Sequence, residues 1–439
     1  VDDFAQTGQV AVISAGNEGS DAIHITSSVG AGSNVDITFS VPSYTANSGT
    51  DNDKVGFDLW FDTGGDVTAE ITSPNGNSAT QAAQTSNTTE TNDGSIYLYN
   101  FINSNNSDRN VYTYIDDNDE TKPPAEGTWT LSITNNSGSS MTYHGWLFTS
   151  TMDATLNSGD TDYTVGSPGT ATEALTVGSW AGRWRWSNNS GSGYLASGSY
   201  DDSDDISRFS SIGPTRDGRQ KPDIAAPGQM IASATSTDYT PNSAYVLPGS
   251  RHHILQGTSM SSPVTAGCAA LLLDIDPTLS ANEIKSLVTS TAVEDDYTGA
   301  ALPDYEWGYG KLDIYRAAEK TLDAGSGKER EVLAYDEWGT NDSWGMTDTY
   351  KAAVRFTPTI SCGVTGLFFH PSTTVDISGP LYVEIWSDDG SGFPDTKLGS
   401  TVSFPQDKIL PFSWNFLDMT DARVTVNGGT DYHAVVYFT

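Results

Sequence analysis

Gly257-Thr258-Ser259-Met260-Ser261-Ser262-Pro263-Val264-Thr265-Ala266-Gly267 runs straight into Cys268-Ala269-Ala270-Leu271-Leu272-Leu273. Val264, Gly267, Cys268, Leu271 and Leu272 recur three and four apart, a spacing that predicts a helix over 258–273 with that face inward. Pro263 falls early in it, where a missing N–H costs least, and Asp276-Pro277 closes it. A serine at the start of such a helix displays its hydroxyl where free backbone N–H groups and the helix dipole favour a developing negative charge. A lone serine there is ordinarily a helix cap. The hydroxyl-rich run between two glycines is far more specific than that.

Upstream, Gln9-Val10-Ala11-Val12-Ile13 is a short apolar run of the kind expected for a strand buried on both faces of a parallel sheet. It stops at Ser14-Ala15-Gly16-Asn17-Glu18-Gly19, which puts an amide side chain at the carboxyl end of a strand, where open α/β sheets gather their sites. Read alone, Asn-Glu-Gly is a turn. From about Asp21 to Ser150 the texture is alternating and turn-rich, as in Val35-Asp36-Ile37-Thr38-Phe39 and Trp129-Thr130-Leu131-Ser132-Ile133, which predicts an all-β sandwich. Helical patterns return after Val165. Ser280-Ala281-Asn282-Glu283 is a capping box opening a helix with Ile284, Leu287 and Val288 inward, and a third helix is expected from about Lys311 to Leu322. Ala324-Gly325-Ser326-Gly327-Lys328 reads as linker, and Tyr382–Trp386 and His433–Phe438 alternate as strands of a second β domain.

The segment around Ser259 resembles the nucleophile motif of the subtilases, the subtilisin-like serine proteases. Ser14–Gly19 resembles their oxyanion segment, and its order, ahead of the serine, is the family's. Phe209-Ser210-Ser211-Ile212-Gly213-Pro214 with Lys221-Pro222-Asp223-Ile224-Ala225-Ala226-Pro227-Gly228 is similar to the stretch leading to the nucleophile. Val165-Gly166-Ser167-Pro168-Gly169 with Leu175-Thr176-Val177-Gly178 is similar to the wall of the primary specificity pocket. The resemblance covers about 1–21 and 160–322. It implies an α/β parallel-sheet core, incomplete at the N-terminus, with segments at 1–21 and 151–322. An inserted jelly-roll-like β-sandwich would occupy 22–150, a linker 323–331 and a C-terminal β-sandwich 332–439, ending inside a strand. It further implies a secreted, extracellular endopeptidase acting on protein or peptide. Ser259 would be nucleophile and Asn17 oxyanion donor, with Ser14, Ala15, Gly16, Gly166, Gly257 and Thr258 lining the substrate site.

One departure matters. The family's Asp-Ser/Thr-Gly and His-Gly-Thr segments lie upstream of the asparagine, and none of His24, His144, His252, His253, His370 and His433 is followed by Gly-Thr. The expectation is therefore that the catalytic Asp and His belong to a missing N-terminal part, and that the chain alone is inactive, because a serine without a positioned base is a poor nucleophile. A non-catalytic binding or adhesion protein acting through its sandwiches is the rival reading. Asp62-Thr63-Gly64 stands in the wrong order for a subtilase and is expected to be a hairpin turn. His252 and His253 are expected to be solvated.

Acidic groups number 56 against 21 Lys and Arg, a formal charge of -35 over 439 residues, which excludes the basic face that nucleic acid or an anionic membrane requires. No apolar run reaches the ~18 residues of a membrane span. Cys268 and Cys362 fall in different domains and are read as free thiols. Asp116-Asp117-Asn118-Asp119 and Asp201-Asp202-Ser203-Asp204-Asp205 offer oxygens to a structural calcium, but neither has the spacing of a calcium loop, and solvated acidic loops are the expectation. No metal ligand is assigned.

Overall fold

The structure is a computed structural model describing residues 1–2, 4, 8–149, 152–183, 185–189, 193–195, 203–299, 301–326, 351–369, 379–409 and 415–438. Two compact units divide it: 1–184 with 196–317, and 185–195 with 318–439. It is rich in sheet and has few helices.

The first unit starts with β1 (Val12–Ser14). Eleven strands follow without a helix: β2 (His24–Val29), β3 (Asn34–Val41), β4 (Lys54–Phe61), β5 (Val67–Thr72), β6 (Ser78–Gln81), β7 (Thr85–Thr91), β8 (Gly94–Ile102), β9 (Arg109–Asp116), β10 (Gly127–Asn135), β11 (Met141–Thr149) and β12 (Thr155–Leu156). They make two antiparallel sheets, ordered β12-β3-β10-β5-β6 and β2-β11-β4-β9-β8-β7. Alternate side chains of both sheets, among them Phe39, Ile71, Trp129 and Leu131 from one and Phe57, Leu59, Phe61, Leu98 and Val111 from the other, form a single buried cluster. This is the period of two expected of strands with one face inward. Trp129 is fully buried, and its indole N–H finds the carbonyl of Ala125 at 2.9 Å.

β13 (Leu175–Ala181) then pairs in parallel with β1, and a hairpin of β14 (Arg185–Ser187) and β15 (Gly193–Leu195) follows in sequence. β16 (Ile224–Gln229) pairs in parallel with β13, giving the order β1-β13-β16. A second hairpin, β17 (Ile231–Ala234) and β18 (His252–Leu255), leads into α1 (Thr258–Ile275), which packs on β1, β13 and β16. α2 (Ala281–Ser290) opens on the expected capping box: the Ser280 hydroxyl accepts from Glu283 N, and the Glu283 carboxylate accepts from Ser280 N.

α3 (Ile314–Ser326) reaches past Leu322, so the first residues of the expected linker are helical, and Gly327 and Lys328 lie outside the described residues. In the second unit β19 (Ala352–Phe356), β22 (Leu381–Asp388), β23 (Pro394–Phe404) and β26 (Tyr432–Phe438) form a sheet ordered β19-β26-β22-β23. The pairs β20 (Cys362–Gly363) with β25 (Thr425–Val426) and β21 (Gly366–Phe369) with β24 (Asn415–Asp418) complete it around Val383, Ile385, Leu417 and Val424. Cys268 and Cys362 are in no disulfide among the described residues, and burial pushes the Cys268 thiol up to about 11. Among the described residues no helix is long and apolar enough to cross a membrane.

Several expectations are corrected. β1 is only half-buried along its length, not covered on both faces. α1 buries Ser261, Thr265, Cys268, Ala269 and Leu272, whereas Gly267 is exposed and Leu271 is 52% exposed, so the inward face is rotated from the one the apolar spacing selects. Ser261 and Thr265 tolerate burial because their hydroxyls donate to the helix's own carbonyls of Thr258 (2.9 Å) and Ser261 (3.3 Å). Asp62-Thr63-Gly64 is not a hairpin turn: it carries the chain from β4 in one sheet to β5 in the other. Asp116 and Asp117 are buried, not solvated; Asp117 Oδ1 accepts from the N–H groups of Asn52 (2.9 Å) and Asp53 (3.0 Å). Among the described residues no group of three His, Cys, Asp or Glu is arranged to hold a metal ion. Asp201 and Asp202 lie outside the described residues.

Candidate active site

α1 begins without a cap of its own. Its N-cap residue is Gly257, at φ 141°, a backbone conformation that side-chain-bearing residues rarely adopt, and a glycine has no oxygen to offer the first N–H groups. The missing acceptor comes from the other end of the sequence. Asn17, three residues beyond β1, places its Oδ1 2.9 Å from Thr258 N and 3.0 Å from Thr258 Oγ1. A backbone N–H can only donate, so the atom facing it is the amide oxygen. The Asn17 NH₂ must then point the other way. Among the described residues it has no acceptor, and neither does Ser259 N.

Ser259 is the second residue of α1, not its cap; it is exposed, and among the described residues nothing hydrogen-bonds its hydroxyl. The helix start therefore carries a hydroxyl without a partner and two donors without an acceptor among the described residues, Ser259 N–H and Asn17 Nδ2–H, near the positive end of the helix dipole. Thr258 is buried; its hydroxyl accepts from Gly16 N at 3.2 Å and lies 3.1 Å from Gly16 O, tying strand end to helix start a second time.

The loop after β1 is pinned from the far side by residues the sequence reading did not single out. Ser211 Oγ donates to Glu18 Oε2 (3.0 Å) and accepts from Glu18 N (3.1 Å), while Glu18 Oε2 also accepts from Asn17 N (2.7 Å). Gly16, at φ 121°, is required here, because a Cβ would lie 2.5 Å from Ser211 Oγ. Gly166 N donates to Ala15 O at 2.8 Å, bringing the 164–169 segment alongside Ser14–Gly16. An added Cβ at Gly166 would meet only Ala15 O at 3.8 Å, so the space beside it is open. Of the residues expected to line the substrate site, Ala15, Gly257 and Thr258 are buried, Ser14 and Gly16 half-buried and Gly166 exposed.

Beneath the site lies a buried ionic knot. Lys221, 2% exposed, donates to Asp223 Oδ2 (2.7 Å), Ala174 O (2.6 Å) and Thr176 Oγ1 (2.9 Å); Lys285 pairs with Asp223 Oδ1 at 2.7 Å. Burial lowers the Lys221 ammonium to about 8 against the pull of Asp223.

The described histidines stand elsewhere. His253 is buried, contrary to expectation, with Nδ1 2.9 Å from Thr235 Oγ1; His252 is exposed. His433 pairs with Asp388 at 2.8 Å in the second unit. His24 is fully buried, with Nδ1 2.6 Å from Asp160 Oδ1 and Nε2 3.0 Å from His144 Nδ1. Burial lowers both of these histidines, His144 to about 4. None of them hydrogen-bonds Ser259, and His370 lies outside the described residues.

Residues 130–310 match the model of the subtilase family, Peptidase S8. Over that stretch the chain is similar to the subtilases. It is 39% identical over 136 residues to the serine protease AprX of Bacillus subtilis, 30% of this chain and 27% of that protein. It is 35% identical over 139 residues to the uncharacterized protein aq_aa18 of Aquifex aeolicus, 31% of this chain and 58% of that one. With the halolysin-like extracellular serine protease Nep of Natrialba magadii it shares 32% over 158 residues, 36% of this chain and 25% of that protein. The match thus spans about a quarter of the length of two of these relatives and 58% of the third. Its fold is similar to that of the CspB protease of Clostridium perfringens, with a TM-score of 0.52 at 21% identity, covering 72% of this chain and 60% of that one.

Proposed function

We propose that this chain is part of a secreted serine endopeptidase of the subtilisin type, with Ser259 as nucleophile and with Asn17 Nδ2–H and Ser259 N–H as the oxyanion donors. The observation that supports the reading is the hydrogen bond from Thr258 N to Asn17 Oδ1, which commits the amide oxygen to the helix start and leaves the NH₂ for a substrate carbonyl. In the proposed reaction the Ser259 oxygen attacks the scissile carbonyl carbon and passes its proton to an imidazole. The carbonyl oxygen becomes an oxyanion held by the two donors. Collapse expels the amine, which takes the proton back, and water then releases the acyl group. The histidine and its orienting aspartate come from an upstream part of the protease domain, which fits the absence of any base beside Ser259 among the described residues. Ser14, Ala15, Gly16 and the open space at Gly166 form the specificity wall, and Gly257 and Thr258 its floor. The two-sheet region is read as a jelly-roll-like insert between oxyanion loop and nucleophile, and the second unit as a C-terminal β-sandwich. The extracellular assignment follows the wording of the Nep relative and the acidity of the chain.

The test is reconstitution. The chain alone should not turn over a peptide substrate, and the chain joined to its upstream segment should. In the joined enzyme Ser259→Ala should reduce turnover to background. Asn17→Ala should lower kcat about 10²–10³-fold with little change in KM, the size established for losing this type of donor in subtilisin itself. Wild-type turnover in Asn17→Ala would overturn the assignment.

A further inference from the structure

The six-stranded sheet has a second face, opposite the buried cluster, and it is built unlike an ordinary solvent face. On β4, β8 and β9 the residues alternating with Phe57, Leu59, Leu98, Val111 and Ile115 point outward. Their registers set Gly56, Tyr114 and Tyr97 side by side in one row and Asp58, Tyr112 and Tyr99 in the next, with Asn110 beside Phe101 in a third. Phe148 of β11 lies opposite Gly56 and fills the space above it: a Cβ on Gly56 would come within 2.2 Å of the Phe148 ring. The rings form a continuous pavement. Tyr97 stacks on Tyr114 at 4.9 Å, Tyr112 on Phe148 at 5.5 Å, and Tyr99 leans on Phe101 at 4.5 Å.

We propose that this pavement is a binding face for a neutral polysaccharide. An outward face normally carries polar side chains, and six half-exposed aromatic rings here call for a partner. The choice of residues says which. Positions 54, 56, 58 and 60, 97, 99 and 101, and 110, 112 and 114 hold no Leu, Ile or Val, so the face is aromatic and polar throughout. Tyr97, Tyr99, Tyr112 and Tyr114 keep their hydroxyls without a hydrogen-bond partner among the described residues. Asp58, hydrogen-bonded by Asn110 at 2.6 Å, adds an acceptor in the middle of the rings. A sugar ring presents a C–H face and a rim of hydroxyls, and this surface offers aromatic faces interleaved with phenol, carboxylate and amide groups. Charge narrows the class: the two cations at this face are already engaged, Lys54 by Asp116 at 3.7 Å and over the Tyr114 ring at 4.4 Å, and Arg216 by Asp108 and over the Trp60 ring at 5.5 Å, in a chain of formal charge -35. Anionic glycans are disfavoured. β7 extends the face with a hydroxyl ledge, Thr88 opposite Tyr97 and Ser86 opposite Tyr99.

The face is independent of the proposed proteolysis, so the two are tested apart. The whole chain carrying Ser259→Ala is run in native gels containing hydroxyethyl cellulose, mixed-linkage β-glucan, galactomannan or dextran, with polygalacturonate as the anionic comparison. Retardation by at least one neutral polymer and none by polygalacturonate is expected. Tyr97→Ala and Tyr112→Ala should each weaken it roughly three- to tenfold, the worth of one aromatic contact. Ser86→Arg lays a guanidinium over the Tyr99 ring without touching the buried cluster and should weaken it as much. Tyr97→Phe, which keeps the ring, should cost less than threefold. The two last variants decide the matter if the alanine variants fail to fold. Absence of retardation by all four neutral polymers overturns the proposal. So does retardation unchanged by Ser86→Arg, or a concentration-dependent dimer lost in Tyr112→Ala with no glycan effect.

Discussion

The two-sheet region and the α/β site region belong to one compact unit, yet different forces hold them. Between its sheets the first has an interior of large apolar side chains, many with no exposed surface. The second has a half-buried β1, the helix α1 whose inward face includes Ser261 and Thr265, and a set of polar pins: Asn17 to Thr258, Glu18 to Ser211, Lys221 and Lys285 to Asp223. Apolar burial is non-directional and tolerant. Hydrogen-bonded pins are directional and fail one at a time. The proposed catalytic geometry needs the second kind of order.

The sharpest way to break this contrast is to remove one pin and one apolar side chain and compare. Asp223→Ala leaves two cations and the Thr176 N–H without their carboxylate and should cost about 3–5 kcal/mol. The loss should appear as faster hydrogen exchange in β13 and β16, with β10 unchanged. Trp129→Ala should cost a similar ~3–5 kcal/mol but appear in β3, β5 and β10. Loss of protection spreading equally through both regions in either variant would show that the distinction is false.

A smaller effect tests the seam. His24 and His144 belong to the two-sheet region, and Asp160 and Tyr163 to the segment returning to the site; Trp146 Nε1 donates to Tyr163 O at 2.8 Å, and Tyr163 N to Gly213 O at 3.1 Å. His24 and His144 face the carboxylates of Asp160, Asp162 and Asp62, the Arg216 cation and the Tyr163 ring. Both histidines are lowered, so between pH 6.5 and about 4 the unfolded chain holds protons that the folded chain does not. Stability therefore rises with pH across that window and is lost as pH falls through it. Melting temperatures measured from pH 7 to 4 should fall, and the slope should be shallower in His144→Gln, which can still donate to His24. A flat profile would remove the histidines from the seam.

The smallest expected effect is at Leu271. Its exposure makes Leu271→Ser neutral within ~0.5 kcal/mol in this chain. In the enzyme joined to its upstream segment the same change should cost ~2 kcal/mol or more if that segment covers α1. Equal effects in the two contexts would mean that the exposed face of α1 stays exposed.

Much of this was legible in sequence because the relevant chemistry is local or patterned. Ser280 and Glu283 name a helix start by their spacing. The run through Ser259 marks the other, and the alternation from Val35 to Ile133 shows strands. What was hidden depends on partners far along the chain. Hydropathy turned α1 the wrong way because it cannot see Ser261 and Thr265 satisfied by their own helix. Asp116-Asp117 looked like a solvated run, yet the N–H groups of Asn52 and Asp53 make a place for Asp117 inside. Glu18 and Ser211 sit in quoted motifs, but nothing in either segment says that they meet. The sequence reading did not pick out the outward tyrosines, whose assembly into rows depends on the register.

Asn17 caps a helix that begins 241 residues after it, and under the proposed function the same bond orients the amide that would donate to the oxyanion. Helix closure and donor aim are thus one event. A molecule whose α1 has not docked has both a frayed helix start and a freely rotating amide, so no partly assembled form carries a working half of the site. Activity, in the completed enzyme, would report docking directly: the population able to stabilise an oxyanion is the population in which strand end and helix start have already met.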